Sequence, residues 1–538
     1  MKLTRRTKYL IFLTFLFSVG DYIFYVIHVH YESEILTGIE QSSMEMVLKF
    51  VALAGGCYLM HMVFRFLSVV NHLRYLADGV TDVRDHIMKS ILNRPIRLFR
   101  KKNNSYYLNL LGEDAELYRS TWLNRIYSIF YGITSVVITA SMLFFLHPSF
   151  FVVGIVTSVI PLLTANLFTK ATQEKRRMVS QTAEKFTGLL KEGVEGNETL
   201  RSTKGKGPFL TQFHVVAEKK AGAQTKSALI NNLSLMTLLT SGVIAQLACM
   251  GVGGYLSITG LVSVSMVFAA LRYVTDLSNS LSNTMEYIVD FRASKPLVEK
   301  LKSETEVPCP ADGGLMPTGD QSLVYENVSF GFGDRQLYKD LSCSFAPGGC
   351  YAILGESGSG KSTLTKLLLK YYDDYEGKIT LAGQDIRTLS EEEIYRVVGL
   401  VSQSPFLFNA SLYENITMFT NDPPRESAEY EKLLADLNLT ALAQRVGDAP
   451  LGDFGDNISG GERQRINIAR ALRSHPAILI FDEPTTGLDP ENVALIDQFI
   501  FDRKDVTRIV ITHNWSEEYL ARFDSVLRIG EKAPTEID

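Results

Sequence analysis

The sequence predicts a multi-domain membrane protein: a six-helix all-α transmembrane domain with long cytoplasmic helical extensions, followed by an α/β nucleotide-binding domain. Three observations predict it. Apolar runs long enough to cross a bilayer are confined to the first part of the chain. The segment Gly355-Glu-Ser-Gly-Ser-Gly360-Lys361-Ser362 matches GxxxxGK[ST], the loop whose backbone N–H groups cradle phosphates while its Lys and hydroxyl reach phosphate and Mg²⁺. Ser459-Gly460-Gly461 then precedes an apolar strand that ends in Asp482-Glu483.

A chain of 538 residues exceeds the size of one compact core, so two or more units are expected. Charged residues make up 21% of the whole, an average of an apolar half and an aqueous half. The net charge of -5 gives no support to nucleic-acid binding. Five cysteines, split between apolar runs (Cys57, Cys249) and expected cytoplasm (Cys309, Cys343, Cys350), make no disulfide framework.

Lys2, Arg5, Arg6 and Lys8 precede an apolar stretch too long for a signal peptide and without a small-residue cleavage site, so it is read as a retained span. Six spans are expected, at about 9–29, 46–66, 126–146, 149–168, 233–253 and 260–280. The segments 71–125 and 169–231 are rich in Lys and Arg, whereas 30–43, 147–148 and 254–259 have none, which places the N-terminus and the basic loops in the cytoplasm. Residues 1–302 are expected to form this domain, 303–320 a breaker-rich linker, and 321–538 the nucleotide-binding domain.

In that last domain, the apolar run Cys350–Leu354 feeds the phosphate loop, and Ser362 to Lys370 has helical character, the strand, loop and helix context the motif needs. Ala477–Phe481 reads as a buried parallel strand that delivers Asp482 and Glu483 at its C-terminal end, where α/β sheets hold their ligands. A third apolar strand, Arg508–Thr512, ends in His513.

Together the phosphate loop, the Ser-Gly-Gly run and Asp482-Glu483 resemble the ATP-binding cassette (ABC) proteins, and paired spans with long inner loops resemble the exporter-type (type IV) half-transporters of that family. The resemblance implies ATP and Mg²⁺. It implies catalytic roles for Glu483 as base, His513 as the γ-phosphate switch and Lys361. Nucleotide contacts would come from Gly355, Ser357, Gly358, Ser359, Gly360, Lys361, Ser362 and Thr363, with Phe332 stacking on adenine where the family usually has tyrosine. Ser362, Gln403 and Asp482 would serve Mg²⁺, and Asp489 would link two ATP sites. Ser459, Gly460, Gly461 and Glu462 would act on the ATP of a partner, because the family closes each site between two cassettes. Glu462 stands where Gln is usual; unless paired with Arg463 or Arg465, its charge would slightly weaken ATP binding. Coupling helices that dock on a cassette would fall near Leu111 to Tyr118 and near Ser202 to Phe209.

Six spans make half of a twelve-span pore, so a second half-transporter, identical or paralogous, is the expected partner, with the lipid bilayer of a bacterial cytoplasmic membrane expected around it. Export of a peptide, drug or lipid-like cargo is expected, no peptidase-like domain preceding the first span. Alternatives are uptake of a siderophore or haem compound and a nucleotide-gated channel or sensor; a soluble ABC ATPase working on ribosomes or DNA is opposed by the spans. Asp21, within the first span, is expected to face protein or water, as cargo group or structural hydrogen-bonder. His61 and Arg65 are expected at an interface, and Cys57 and His61 with His28 and His30 suggest haem or metal.

Overall fold

The computed structural model describes residues 4–306, 321–333, 335–452 and 457–530, without the side chains of 160–170, 172, 173, 176, 180, 234 and 238. Two compact units divide it: residues 1–92 with 104–307, and residues 93–103 with 308–538. The linker expected at 303–320 lies outside the described residues from 307 onward, and its start is helical, closing the helix Lys295–Thr305.

The first unit is all helix. Arg5–Glu40 and Met44–Leu92 form a tight antiparallel hairpin, turned by Gln41 to Ser43 with Ser42 at φ +53°. Its open end is tied by Asp82, which accepts from the Thr7 hydroxyl at 2.8 Å and the Thr4 N–H at 3.0 Å. A third helical run spans Asn104–Leu146, with wide turns at Leu110–Asp114 and Arg119–Leu123. Pro148–Glu195 follows, opened by His147 as cap and Pro148 in the first turn, where a missing N–H is harmless. Lys206–Ile258 and Val264–Ala293 complete the long helices.

Among the described residues, four helices are long and apolar enough to cross a membrane: Arg5–Glu40, Met44–Leu92, Asn104–Leu146 and Lys206–Ile258. They contain the spans expected at 9–29, 46–66, 126–146 and 233–253. The span expected at 149–168 falls in Pro148–Glu195, of which Pro148–Val159 is a shorter apolar helix among the described side chains. The span expected at 260–280 begins later than the hydropathy suggests, since Gly260 sits in a turn at φ +75° and the helix starts at Val264. That helix is less apolar because it carries Arg272 and Asp276, the latter accepting from the Tyr25 hydroxyl at 2.7 Å.

Helices approach closely where side chains are small, as apolar packing between membrane helices requires. A Cβ on Gly132 would lie 2.0 Å from the Thr284 hydroxyl oxygen, and one on Gly253 would lie 2.7 Å from Val267. One apolar core gathers Tyr22, Val26, Leu143, Phe150, Tyr273 and Leu277; another gathers Leu10, Tyr75, Val83, Ile87, Leu123 and Leu301.

The second unit holds two sheets. Strands β1 (Leu323–Phe332), β2 (Arg335–Phe345), β4 (Glu376–Leu381) and β5 (Gln384–Asp385) pair antiparallel in the order β2-β1-β4-β5. Strands β3 (Cys350–Gly355), β6 (Val398–Val401), β7 (Ile478–Asp482), β8 (Thr507–Ile511) and β9 (Ser525–Ile529) run parallel in the order β6-β7-β8-β3-β9. The parallel strands are near-continuous apolar runs because both faces are covered. On one face they share a core with the antiparallel sheet and the helix Lys361–Leu368; on the other they meet the helices Gly460–Arg473 and Pro490–Asp502. Because β7, β8 and β3 are neighbours, the loops at their C-terminal ends stand side by side.

The short helix Ile96–Phe99, cut from between two helices of the first unit, belongs to the second. Pro95 breaks the chain ahead of it, and the Ile96 N–H donates to both carboxylate oxygens of Glu391 at 2.9 and 3.1 Å. Arg97 pairs with Asp373 at 2.5 Å, and the Arg100 guanidinium lies over the Tyr371 ring at 5.2 Å. The coupling segment expected at Leu111 to Tyr118 lies in the first unit, with Ala115 and Tyr118 buried and Glu113, Glu116 and Leu117 exposed. The second expected segment meets a break, the helix Asn197–Ser202 ending before Lys206–Ile258 begins.

Glu391→Ala removes a charged acceptor whose hydrogen bond is worth about 1.5–3 kcal/mol. Amide exchange at Ile96 and its neighbours in the intact chain should therefore accelerate by roughly tenfold or more. Mass-resolved hydrogen exchange checks this, with Glu391→Gln, which keeps an acceptor, falling between.

Candidate functional site

The phosphate loop turns from β3 into Lys361–Leu368 through Gly358 at φ +77° and Gly360 at φ +107°, conformations a residue with a Cβ adopts only at a cost. Its outer wall is held from β2: Arg335 donates to the Gly358 carbonyl at 3.0 Å and the Tyr338 hydroxyl donates to that of Gly360. Lys361 is buried and its ammonium donates to the Gly355 and Glu356 carbonyls at 2.8 and 3.0 Å, which curls the loop around it. Burial lowers its pKa, an effect that Glu483 and Asp482 offset in part. A cavity of about 540 Å³ lies against the loop, lined by Arg335 to Lys339, Glu356 to Ser359 and Arg528 to Gly530 among others.

Asp482 ends β7 and accepts from the Ser362 hydroxyl at 3.1 Å. Burial raises its carboxyl above the usual range, with the Ser362 hydrogen bond acting against it. A hydroxyl and a carboxylate so paired are the hard oxygen donors Mg²⁺ prefers, so Ser362 and Asp482 fit that ion. Gln403 is placed differently, its amide donating to Oε2 of Glu483 at 2.8 Å.

Glu483 is held from every side. His513 Nε2 lies 2.8 Å from Oε1, Thr486 donates to Oε2 at 3.3 Å, and the Glu483 N–H donates to the Ile511 carbonyl at 3.0 Å. Its backbone is left-handed, at φ +49°. For a residue with a Cβ that conformation costs on the order of 1–3 kcal/mol and persists where the surroundings over-determine it. Lys361 Nζ reaches within 3.4 Å of His513 Nε2, which joins the phosphate loop to the carboxylate. The strands β3, β8 and β7 thus bring Lys361, His513, Asp482 and Glu483 into one cluster.

Ser459 caps the helix Gly460–Arg473. Its hydroxyl oxygen accepts from the Glu462 N–H at 3.2 Å while the Glu462 carboxylate takes the Ser459 N–H at 2.9 Å, a reciprocal capping box. The serine's hydroxyl proton stays available to a phosphate. Glu462 does pair: Arg445, on the helix Thr440–Val446, donates to both its oxygens at 2.9 and 3.1 Å, a partner the sequence did not point to. Burial pushes the Glu462 carboxyl up, yet the bonds from Ser459 and Arg445 outweigh it and hold it below the usual value.

Arg465 turns to Asn492, whose amide also donates to Asp489 at 2.6 Å. Asp489 caps the helix Pro490–Asp502 by accepting the Asn492 N–H at 3.0 Å. A Cβ on Gly461 would lie 2.4 Å from Asn492, so this glycine lets the amide sit against the first turn. Phe332 ends β1 with 46% of its surface exposed, its edge against Phe330 and Tyr372.

Sequence reading missed Arg445, Asn492 and Tyr338, whose partners lie 17, 27 and 22 residues away and follow no local motif. The Cys57 and histidine reading finds no support: among the described residues no group of three or more His, Cys, Asp or Glu could hold a metal ion.

Residues 10–281 match the model of the ABC transporter transmembrane region, and residues 338–486 match the ABC transporter model. The chain belongs to the ABC transporters. It is 26% identical over 470 residues to the mitochondrial ATP-dependent permease MDL2 of Saccharomyces cerevisiae, covering 85% of this chain and 60% of that protein. It is 28% identical over 348 residues to the mycobactin import ATP-binding/permease protein IrtB of Mycolicibacterium smegmatis, covering 62% of this chain and 59% of that one. The chain thus spans about three fifths of the length of these two relatives. A bacterial Atm1-family ABC exporter with ATP bound shares the fold, at a TM-score of 0.82 and 20% identity, over 99% of this chain and 94% of that one.

In this ABC transporter the Glu462 carboxyl is lowered in the folded state, so its stabilisation is complete above the ordinary value of 4.5 and fades as pH falls through the folded pKa. Glu462→Gln should keep the capping box and lose that acid-side dependence, whereas Glu462→Ala should cost about 1 kcal/mol. Thermal unfolding of the intact chain between pH 7 and pH 4 measures both.

Proposed function

We propose that two copies of this chain, or this chain and a paralogue, form an ATP-driven exporter in which ATP binding closes the two cassettes and hydrolysis reopens them. The observation that carries the reading is the clamped Glu483 beside the Ser362–Asp482 pair and Lys361: one chain holds a base, a phosphate cradle and oxygen donors for Mg²⁺. In the reaction Glu483 takes a proton from the water whose oxygen attacks the γ-phosphorus, and the bond to the bridging oxygen of ADP breaks. Gln403 and His513 hold the two carboxylate oxygens in line, and the Lys361 ammonium meets phosphate charge. Mg²⁺, held through Ser362 and Asp482, would supply charge neutralisation. Ser459, Gly460 and Gly461 offer a hydroxyl and backbone N–H groups at a helix N-terminus, suited to the γ-phosphate bound by the partner. Phe332 presents an exposed aromatic face for adenine, which stacking tolerates as well as it does tyrosine.

Export is preferred to uptake because the shared fold across nearly the whole chain is that of an exporter, whereas the resemblance to the mycobactin importer covers 62% of it. The basic inner segments support a cytoplasmic N-terminus and cassette.

Glu483→Gln should lower ATP hydrolysis in reconstituted vesicles by about 10²–10⁴-fold while ATP still binds. Lys361→Ala should weaken nucleotide binding itself, and neither change should release the protein from the membrane. Undiminished ATP-dependent cargo movement in either variant rejects the reading.

A further inference from the structure

Asp21 is completely buried in the helix Arg5–Glu40, and its carboxylate meets His61 and Arg65 of the helix Met44–Leu92. His61 Nδ1 lies 2.7 Å from Oδ1, and Arg65 donates to Oδ2 at 3.3 Å. The depth of this cluster follows from the hairpin. Counted from the turn at Gln41 to Ser43, Asp21 and Arg65 are each about 20 residues along, hence about 30 Å from it at 1.5 Å per residue. That level is near the middle of the apolar stretch 9–29 of the first helix and at the inner end of the stretch 46–66 of the second. Asp21, His61 and Arg65 therefore share one level of the hairpin.

Arg65 is only partly used by its neighbours. Among the described residues it donates to Asp21, its guanidinium lies over the Tyr131 ring at 5.2 Å, and 45% of the side chain is exposed. An arginine facing hydrocarbon at this depth is strongly disfavoured, so its open side belongs to water or protein. The helix itself separates the two directions. Tyr58, His61, Arg65, Ser68 and His72 recur at spacings of three and four and form one polar stripe, while the exposed Leu59, Val63 and Phe66 point elsewhere. Ser68 and His72 are spoken for, by Ser18 and Asn124.

We propose that Arg65 is a cargo-binding group, anchored by Asp21 and Tyr131, that takes the anionic head of an amphipathic cargo in the aqueous pathway of the transporter. This rests on the transport reading above and adds a substrate class to it. Asp21 orients the guanidinium and leaves its other N–H donors for a carboxylate or phosphate, which the planar fork binds through two bonds. The aromatic rings of Tyr58, Tyr25 and Tyr131 near His61 and Arg65 offer a bed for an apolar body.

The test uses Tyr58→Cys in a Cys57→Ser background, two turns from Arg65 on the same stripe and at a residue 45% exposed. The full chain is reconstituted in phosphatidylcholine vesicles and labelled, without ATP, by a charged water-soluble methanethiosulfonate, the modified residue being read by peptide mass. Labelling is expected, and dodecyl phosphate is expected to slow it where dodecyl maltoside does not. Arg65→Gln should raise the protecting concentration of dodecyl phosphate by about tenfold or more, with Arg65→Lys intermediate. Absence of labelling, equal protection by the neutral amphiphile, or a protecting concentration indifferent to Arg65 each overturns the proposal. Protection by phosphatidylglycerol in the bilayer alone makes a lipid headgroup the occupant and overturns the cargo assignment. Because no step needs hydrolysis, failure here is distinct from failure of the transport reading, which the Glu483 variant reports.

Discussion

The register of three parallel strands is the constraint on which the catalytic half depends. β8 lies between β3 and β7, with Ile353 opposite Ile511 and Ile511 opposite Asp482. Two further backbone bonds continue the ladder past the strand ends, Thr512 N–H to the Ile353 carbonyl and Glu483 N–H to the Ile511 carbonyl. A one-residue slip of β7 would reverse the faces of Asp482 and Glu483, because side chains alternate along a strand. The buried aliphatic side chains of these strands, packed on both faces, forbid that slip. Apolar packing thus fixes the position of charged groups that it never touches.

The two units illustrate different uses of buried charge. In the cassette, Lys361, Asp482 and Glu483 tolerate desolvation because each has polar partners within its own loop or the next one. In the membrane unit, Asp21 is excluded from solvent and is compensated by His61 and Arg65 across a helix pair. Buried ion pairs contribute little net stability but are costly to break, so they specify which helix faces which.

Much of the cassette was legible because its chemistry is encoded locally. The phosphate loop, Asp482-Glu483 and Ser459-Gly460-Gly461 are contiguous, and each lies at a strand end or helix start that hydrophobic patterning reveals. What was not legible depends on tertiary distance. Glu462 found Arg445, 17 residues away, while the capping box turns its carboxylate back toward Ser459. The contact of Asp21 with Arg65 was not legible because hydropathy marks where apolar residues occur, while the hairpin turn sets which residues of the two helices align. The segment 93–103 was missed because Pro95 and a single helical turn carry little periodicity.

The contact between Gly461 and Asn492 has a mechanical consequence. Asn492 touches the first turn of one helix, receives Arg465 from its second turn, and holds Asp489 at the start of another. A hydrogen atom in place of a side chain at 461 therefore acts like the mesh point of two gears. The loop that ends at Ser459 and the loop that carries Asp489 turn together or not at all, with no strain passed through the sheet.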